Sequence, residues 1–407
     1  MYKGKKVVIG ITGGIAAYKA FELIRELKNE GIDVYAAMTN SAIELIGYQT
    51  IVVLTEHPVF KNLFDRIHIH GSATDITHVA LGSWADCFIV LPATNHTVSK
   101  LASGAGDDPV SLVALASDCP RIVAPTANSV MYQQKTNRRN LEILKQDGWI
   151  TVEATEGNLA CNQEGVGHIA SSMAIKEAIY GALEEKILND FYIVVTAGPT
   201  RESIDPVRFI SNPSSGKMGF AIGKMAKRMG AEVSLIHGQV QLSGCFRTTT
   251  VATTSQMKKA VHREIKTALA TGKKVVFISA AAPADFRSEF SRTKIKKDGN
   301  PLLLKLMPTE DILKSTLLFS DKIVRVGFAA ETGNLAANAK KKLDDKNLDL
   351  IVANDITLPG SGFASDNNIV TILGKNIDVK LPFMSKEKAA RKLLKILKEQ
   401  CGADHNL

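Results

Sequence analysis

Cysteine is scarce in this chain: Cys87, Cys119, Cys161, Cys245 and Cys401 are widely spaced and form no C-x-x-C pair. Neither a disulfide framework nor a zinc site is indicated, and a reducing, cytoplasmic compartment fits. Aromatic residues are also few, at 6%. No Lys/Arg run is interleaved with Phe or Tyr as a single-strand nucleic-acid groove requires, so no nucleic-acid partner is expected. Long apolar runs are missing too: no uncharged stretch approaches the roughly 18 residues of a membrane helix. The basic start Met1-Tyr2-Lys3-Gly4-Lys5-Lys6 leads into an apolar run too short for a signal peptide and broken at Gly13-Gly14, so no membrane partner is expected either. With those partners set aside, the net charge of +9 points to a small anionic ligand.

What is present is the composition of an ordinary globular protein, 45% hydrophobic and 22% charged, which disfavours disorder, collagen and coiled coil. At 407 residues the chain exceeds one ordinary core, and two domains are expected. Lys6 to Ile11 reads as a buried strand; Ile15, Lys19, Leu23, Ile24 and Leu27 follow at helical spacing, and residues 31–39 form a second strand. That is a βαβ unit with a right-handed crossover. Further strands are expected at 87–91, 121–124 and 150–153, with helices at 95–103, 109–115 and 138–145 between them, giving a doubly wound parallel sheet.

At Asp190 the pattern restarts: strand 191–196, the turn Ala197-Gly198-Pro199-Thr200, and a helix face marked by Met218, Ile222, Met225, Ala226 and Met229. The spacing predicts strands at 274–280, 323–328 and 348–353, a short one at 369–372 able to pair antiparallel, and an amphipathic helix over 386–400. A helix over 177–189 marks the boundary, giving domains 1–188 and 189–407. The fold class is therefore α/β with two Rossmann-like domains, the second with a mixed sheet. Residues 288–301 and 357–368 read as loops. The first loop carries Lys294-Ile295-Lys296-Lys297, which is either a solvated basic face or a phosphate clamp.

Gly13-Gly14 follows a strand and precedes a helix, where backbone N–H groups and the helix dipole can hold a phosphate. It is not the dinucleotide fingerprint G-x-G-x-x-G. Thr39 and Asn40, not an acid, end the second strand, so a mononucleotide such as FMN fits better than NAD.

Longer motifs carry a resemblance. Gly10-Ile11-Thr12-Gly13-Gly14-Ile15-Ala16-Ala17-Tyr18-Lys19, Thr77-His78-Val79, Trp84-Ala85-Asp86, Pro92-Ala93-Thr94, residues 124–132 and Leu159-Ala160-Cys161 resemble the flavin-dependent cysteine decarboxylase family. Thr196-Ala197-Gly198-Pro199-Thr200-Arg201-Glu202, Ile210-Ser211-Asn212, Ser214-Ser215-Gly216-Lys217-Met218-Gly219, Ala284-Asp285-Phe286, Gly327-Phe328-Ala329-Ala330-Glu331-Thr332 and Lys346-Asn347-Leu348-Asp349 resemble the phosphopantothenate–cysteine ligase family. Both together resemble the bifunctional enzymes of coenzyme A biosynthesis.

The resemblance implies a flavodoxin-like first domain, FMN and Mg²⁺ as cofactors, and a homo-oligomer. It implies CTP-dependent joining of L-cysteine to 4′-phosphopantothenate through an acyl-cytidylate, then FMN-dependent decarboxylation of 4′-phosphopantothenoylcysteine. His78 would be the base of the oxidative step, Asn128 would hold the substrate carboxylate, and Cys161 would return a proton. Asn212 would serve the acyl-cytidylate, or else cap the following helix, as Ser214 and Ser215 could equally do. Gly13, Gly14, Ile15, Thr39 and Thr94 would contact FMN. Ser279, Ala280, Ala281, Asp285, Lys294, Asp311, Ile312, Phe328, Lys342 and Lys346 would contact CTP, and the metal ligands are unassigned.

The chain departs from the family pattern at Ala127, at Asn162 and at His168, where Met, Gly and Arg are usual, which points to a decarboxylase half that is slowed or serves assembly only. Met307-Pro308-Thr309-Glu310-Asp311-Ile312 replaces Asn-Pro-Asp-Ile, so a shifted nucleotide-facing turn is expected.

Overall fold

The run Lys6–Ile11 (β1) is buried on both faces, the condition under which a short β-branched segment settles into a parallel sheet. A computed structural model describes residues 1–158, 164–244, 246–297, 299, 301–331, 335–355 and 365–403, and the chain divides into two units, Met1–Glu184 and Glu185–Leu407.

In the first unit β1 is followed by a short 3₁₀ turn at Ile15–Tyr18 and then α1 (Lys19–Asn29), β2 (Asp33–Met38), α2 (Asn40–Leu45), α3 (Tyr48–Thr55), α4 (Thr77–Trp84) and β3 (Cys87–Ala93). The unit continues with α5 (Asn95–Ser103), α6 (Pro109–Ala116), β4 (Arg121–Pro125), α7 (Ser129–Gln133), α8 (Lys135–Gln146), β5 (Ile150–Thr151), a hairpin of β6 (Thr155–Asn158) and β7 (Glu164–His168), and α9 (Ser172–Leu183). The five-stranded sheet runs β2-β1-β3-β4-β5, all parallel. Val7, Ile9 and Ile11 pack with Leu23, Leu27 and Ile179 on one face, while Val8 packs with Leu81, Val110 and Leu144 on the other. The sheet is thus doubly wound, as its alternating elements predict. Strand order reverses between β1 and β3, and in open α/β sheets the ligand crevice lies at that switch point; order 2-1-3-4-5 is the flavodoxin-like case.

The second unit contains β8 (Phe191–Ala197), the small pair β9 (Arg201–Ser203) and β10 (Phe209–Ser211), α10 (Lys217–Arg228), β11 (Glu232–His237), β12 (Arg247–Thr250), α11 (Thr254–Leu269) and β13 (Lys274–Ser279). It goes on through β14 (Phe286–Ser288), β15 (Leu306–Pro308), α12 (Ile312–Ser315), β16 (Ile323–Glu331), α13 (Leu335–Asp345), β17 (Leu350–Asp355), β18 (Asn367–Gly374), β19 (Ile377–Ser385) and α14 (Lys386–Ala403). Its eight-stranded sheet is ordered β12-β11-β8-β13-β16-β17-β18-β19. The last two strands run antiparallel to their neighbours, so the sheet is mixed, as expected. Tyr192 and Val194 face a cluster built with α11, α12 and α13; α10 and α14 pack on each other and give it no residue. Because side chains alternate along β8, these helix sets cover opposite faces. Order reverses between β8 and β13, which places a second crevice there.

The helix expected over 177–189 is instead Ser172–Leu183, because the Ser171 hydroxyl caps it by accepting from Ala174 N and the chain turns extended at Glu184. Leu188 N bonds Met229 O, so residues that read as the end of that helix belong to the second unit. Part of the 357–368 loop lies outside the described residues.

Candidate active sites at two strand-order reversals

In the first unit a cavity of about 750 Å³ opens at the carboxyl ends of β1, β2 and β3, lined by Gly13, Thr39, Ser41, Thr94 and Asn95 among others. The turn after β1 is tight: a Cβ on Gly13 would stand 2.3 Å from Ser41 Cβ. Two threonines cap the helices that follow the other strands. Thr39 Oγ1 accepts from Ala42 N and Thr94 Oγ1 accepts from Thr97 N, each at 3.3 Å. Capping uses an oxygen lone pair and leaves the hydroxyl hydrogen to donate. Gly14 N is bonded to Thr12 O at 2.8 Å, and Ile15 projects an exposed side chain. A crevice at the order reversal, a glycine that lets the β1 turn pass directly against the start of α2, and hydroxyls beside helix N-termini together fit a mononucleotide phosphate.

The structure brings Gly13, Thr39 and Thr94 to this cavity, whereas His78 and Asn128 are not among its lining residues. His78 is the second residue of α4 and half-buried. Asn128 caps α7, its Oδ1 accepting from Val130 N at 2.9 Å, and α7 reaches the cavity through Met131, whose carbonyl accepts from Asn95 Nδ2 at 2.8 Å. Cys161 and Asn162 lie outside the described residues, but the hairpin that leads to them is anchored. Ala127 N and Thr126 Oγ1 both donate to Gly167 O, at 3.2 and 2.9 Å. Gly167 has φ +136°, and a Cβ there would stand 2.2 Å from Ala127 O. Ser41 and Asn95, unmarked in the sequence reading, come to the site through their helix-start positions.

In the second unit a cleft of about 550 Å³ runs along the carboxyl ends of the sheet. It gathers Asn212, Ser279, Ala280, Ala281, Asp285, Asp311, Ile312, Phe328, Lys342 and Lys346; Lys294 is not among its lining residues. Asp311 caps α12, accepting from Lys314 N at 2.9 Å, and pairs with Lys346 Nζ at 2.8 Å. Burial raises its pKa, but the Lys314 N–H and the Lys346 ammonium outweigh it and hold the carboxyl below its usual range. The altered segment 307–312 therefore still delivers Asp311 and Ile312 to the cleft. Asn212 does not cap α10, and neither Ser214 nor Ser215 does: the N-cap is Gly216 at φ +75°, with no side-chain cap. The Asn212 amide instead donates from Nδ2 to Pro283 O at 2.8 Å.

Arg325 and Lys386 carried no expectation from the sequence, and Lys217 was marked only as part of its motif. Arg325, only 1% exposed, donates to Leu313 O, Lys346 O, Asn347 O and Thr316 Oγ1, tying the start of α12 to the turn after α13. It thereby sets the spacing of Asp311 and Lys346. Lys217 and Lys386 also line the cleft.

The basic run is anchored at one point. Ile295 N donates to Asp205 Oδ2 at 3.2 Å and Ile295 O accepts from Arg208 Nη1 at 3.0 Å, leaving Lys294, Lys296 and Lys297 exposed. Burial raises the Asp205 pKa, but the N–H groups of Val207, Arg208 and Ile295 and the Arg208 guanidinium bring it down from 3.8 to about 2. A depressed carboxyl contributes its anchoring above its ordinary range and loses it as pH falls through the folded value. The anchor is thus complete above about pH 4 and released toward pH 2. At neutral pH Asp205→Asn is expected to free the arm, seen as faster tryptic cleavage at Lys294–Lys297; an unchanged digestion rate would show that Asp205 does not hold it.

Residues 1–184 match the Flavoprotein family model, and residues 188–400 match that of the DNA/pantothenate metabolism flavoprotein C-terminal domain. The coenzyme A biosynthesis bifunctional protein CoaBC of Vibrio cholerae is 37% identical over 403 residues, 98% of each chain. This chain belongs to the CoaBC family. The CoaBC protein of Bacillus subtilis is 38% identical over 395 residues, 95% of each chain. Among solved structures, the C-terminal domain of a CoaBC protein aligns with 54% of this chain and 100% of its own at 37% identity, with a TM-score of 0.46. As a CoaBC family member the chain is a bifunctional enzyme of coenzyme A biosynthesis, and its two crevices lie one in each matched domain. Among the described residues no helix is long and apolar enough to cross a membrane.

Proposed function

We propose that residues 189–407 join L-cysteine to 4′-phosphopantothenate at the expense of CTP, and that residues 1–188 decarboxylate the 4′-phosphopantothenoylcysteine so formed. The observation that carries the reading is the second-unit cleft, where Asn212, Asp285, Asp311, Phe328, Lys342 and Lys346 gather at one strand-order reversal. In the first half-reaction the pantothenate carboxylate oxygen bonds to the α-phosphorus of CTP and the bond to pyrophosphate breaks. In the second, the cysteine amine attacks the acyl carbon, the acyl–phosphate bond breaks, CMP leaves and the amine gives up a proton. Both steps concentrate negative charge, which Lys342 and Lys346 neutralise from the cleft wall and Lys294 from the arm. Asn212, with one amide hydrogen on Pro283 O, offers the other to the oxygen that becomes negative at the acyl carbon.

Mg²⁺ would enter with the CTP triphosphate, whose oxygens leave only one or two places for carboxylates. Among the described residues no group of three or more His, Cys, Asp or Glu is assembled to hold a metal.

FMN in the first crevice would supply the two-electron oxidation of the substrate thiol that allows the α-carboxylate to leave as CO₂, and would give the same two electrons back to the resulting enethiolate, so that no external oxidant is consumed. Gly13, Gly14 and Ile15 would border its phosphate, with Thr39 and Thr94 donating hydroxyl hydrogens. His78 would take a proton in the oxidative step, Asn128 would bind the departing carboxylate, and Cys161 would return a proton to the product. His78 lies outside the cavity its own chain forms, which supports a homo-oligomer in which copies complete the site. The departures at Ala127 and His168, at the base of the hairpin, favour a second reading in which the first unit binds flavin and serves assembly without turnover.

One coupled assay separates these readings. With CTP, cysteine and 4′-phosphopantothenate, the purified chain is expected to release CMP and then CO₂ in equal amounts. CMP without CO₂ from a yellow protein selects the assembly reading, and no CMP removes the ligase assignment.

A further inference from the structure

One residue in the wall of the second-unit cleft is gripped at both of its polar backbone atoms. Ala284, only 1% exposed, stands between Pro283, whose carbonyl holds the Asn212 amide, and Asp285, and all three line the cleft. Ala284 N donates to Thr200 Oγ1 at 2.8 Å, and Ala284 O accepts from Thr309 Oγ1 at 2.6 Å. Thr200 Oγ1 in turn lies 2.8 Å from Thr254 Oγ1, and Thr254 Oγ1 donates to Ala284 O at 3.5 Å. That last bond uses the Thr254 hydrogen, so the hydrogen between the two hydroxyls belongs to Thr200. Three donors thus follow one another around a ring, from Ala284 N through Thr200 and Thr254 back to Ala284 O, an arrangement in which each bond polarises the next.

Thr200 and Thr254 are fully buried, and neither is among the cleft-lining residues. Thr254 is the first residue of α11, and its N–H donates at 2.7 Å to the buried carboxylate of Glu202, where the helix N-terminus favours a negative charge. The carbonyl of Thr200 accepts from Ser211 Oγ at 2.7 Å, and Ser211 precedes Asn212. One residue therefore registers both ends of the Asn212–Pro283 bond, the Asn212 segment through its carbonyl and the Pro283 loop through its hydroxyl. The same loop is joined to the turn after β8 by Ala282 N, which donates to Gly198 O at 3.0 Å.

We propose that Thr200 is a positioning residue for the ligation: through Ala284 it sets Pro283 O, and thereby aims the second amide hydrogen of Asn212 at the reacting acyl group. The assignment rests on the ligase reading and deepens it. Without the Thr200 hydroxyl, Ala284 N loses its acceptor in a buried place, and the loop shifts to find another. Pro283 O moves with the loop, and the plane of the Asn212 amide turns. An oriented donor acts only where the oxyanion forms, so a small displacement lowers kcat more than it weakens substrate binding.

The test uses the full chain and CTP- and cysteine-dependent CMP release. Thr200→Val keeps the branched shape and removes the hydroxyl; it is expected to lower kcat about tenfold or more, with each KM within about threefold. Thr200→Ser returns the hydroxyl and should recover most of the loss. In an Asn212→Asp background Thr200→Val should cost less than about twofold further, because its effect passes through a group already removed. Thermal unfolding is followed in parallel. If Thr200→Val does not fold, Thr309→Val decides: it removes one bond to Ala284 O, and its loss of kcat should likewise vanish in the Asn212→Asp background. Normal kcat in the folded variant, a loss that serine does not recover, or the full loss repeated on Asn212→Asp overturns the assignment. Absence of CTP-dependent turnover in the unaltered chain would instead sink the ligase reading on which it stands.

Discussion

Asn212→Asp is expected to lower kcat for CTP- and cysteine-dependent CMP release by about 10²–10³-fold, the cost of losing one oriented donor to a developing oxyanion. The unfolding midpoint should fall modestly, because the bond to Pro283 O is lost with the amide. The amide of Asn212 has two hydrogens, and the one on Pro283 O at 2.8 Å fixes the plane in which the other is offered to the cleft. Aspartate keeps the size and removes both donors. It also sets a negative charge against the Pro283 carbonyl and in the path of an anionic intermediate. A capping role would give a different signature, with stability and turnover both intact, because aspartate caps a helix as well as asparagine does. The α10 cap is Gly216 with no side-chain bond, so that signature is not expected. Stopped-flow measurement of CMP release beside a thermal melt separates the outcomes; near-normal turnover in Asn212→Asp would remove the residue from the proposed chemistry.

The parts of this fold that were legible in the sequence are those where one physical signal dominates. Strands β1, β3, β4, β8 and β13 are apolar runs buried on both faces, and the glycine turn after β1 follows directly from such a run. The edge elements carried no such signal. β12 is Arg247-Thr248-Thr249-Thr250, largely exposed, and β19 alternates Asp378 and Lys380 with apolar residues because only one neighbour covers it. The antiparallel return of β18 was readable, but not its partner. Helix α11 was hidden by its lysines and arginine, although Met257, Val261, Ile265 and Ala268 form a buried stripe at helical spacing.

The same logic holds at the site. Residues marked by the family resemblance were recognisable, and ten of them line one cleft. Arg325 was not, since an arginine inside the apolar strand Ile323–Glu331 announces nothing until the carbonyls of α12 and of the turn after α13 converge on it. Lys386 likewise reads as the first residue of a surface helix, and only the packing of α14 on α10 turns it toward the cleft. Lys217 stood inside a recognised motif, yet its partner Asp366 is remote in sequence, which is why its charge could not be weighed.

Gly13→Val is expected to yield a purified protein without flavin colour and without CO₂ release, while CMP release persists. The turn after β1 passes so close to α2 that a Cβ on Gly13 would lie 2.3 Å from Ser41 Cβ and 3.0 Å from the Ser41 carbonyl carbon. Carbon atoms do not approach so closely, so one segment must move. Ser41 is not free to yield: α2 is fixed by its Thr39 cap, and Thr39 N is itself bonded to Ile11 O at 3.1 Å. The valine therefore forces the β1 turn and the α2 start apart, which pulls Thr39 away from the place where a phosphate would rest. Ligase activity should survive because Glu185–Leu407 forms a separate unit with its own cleft. Gly47→Ala is the control for a glycine change as such, since a Cβ there meets nothing within 4 Å, and it should leave the protein yellow. If Gly13→Val retains flavin in full stoichiometry, the mononucleotide is held elsewhere. If colour is kept and CO₂ is lost, the turn positions the flavin for chemistry more than it binds it.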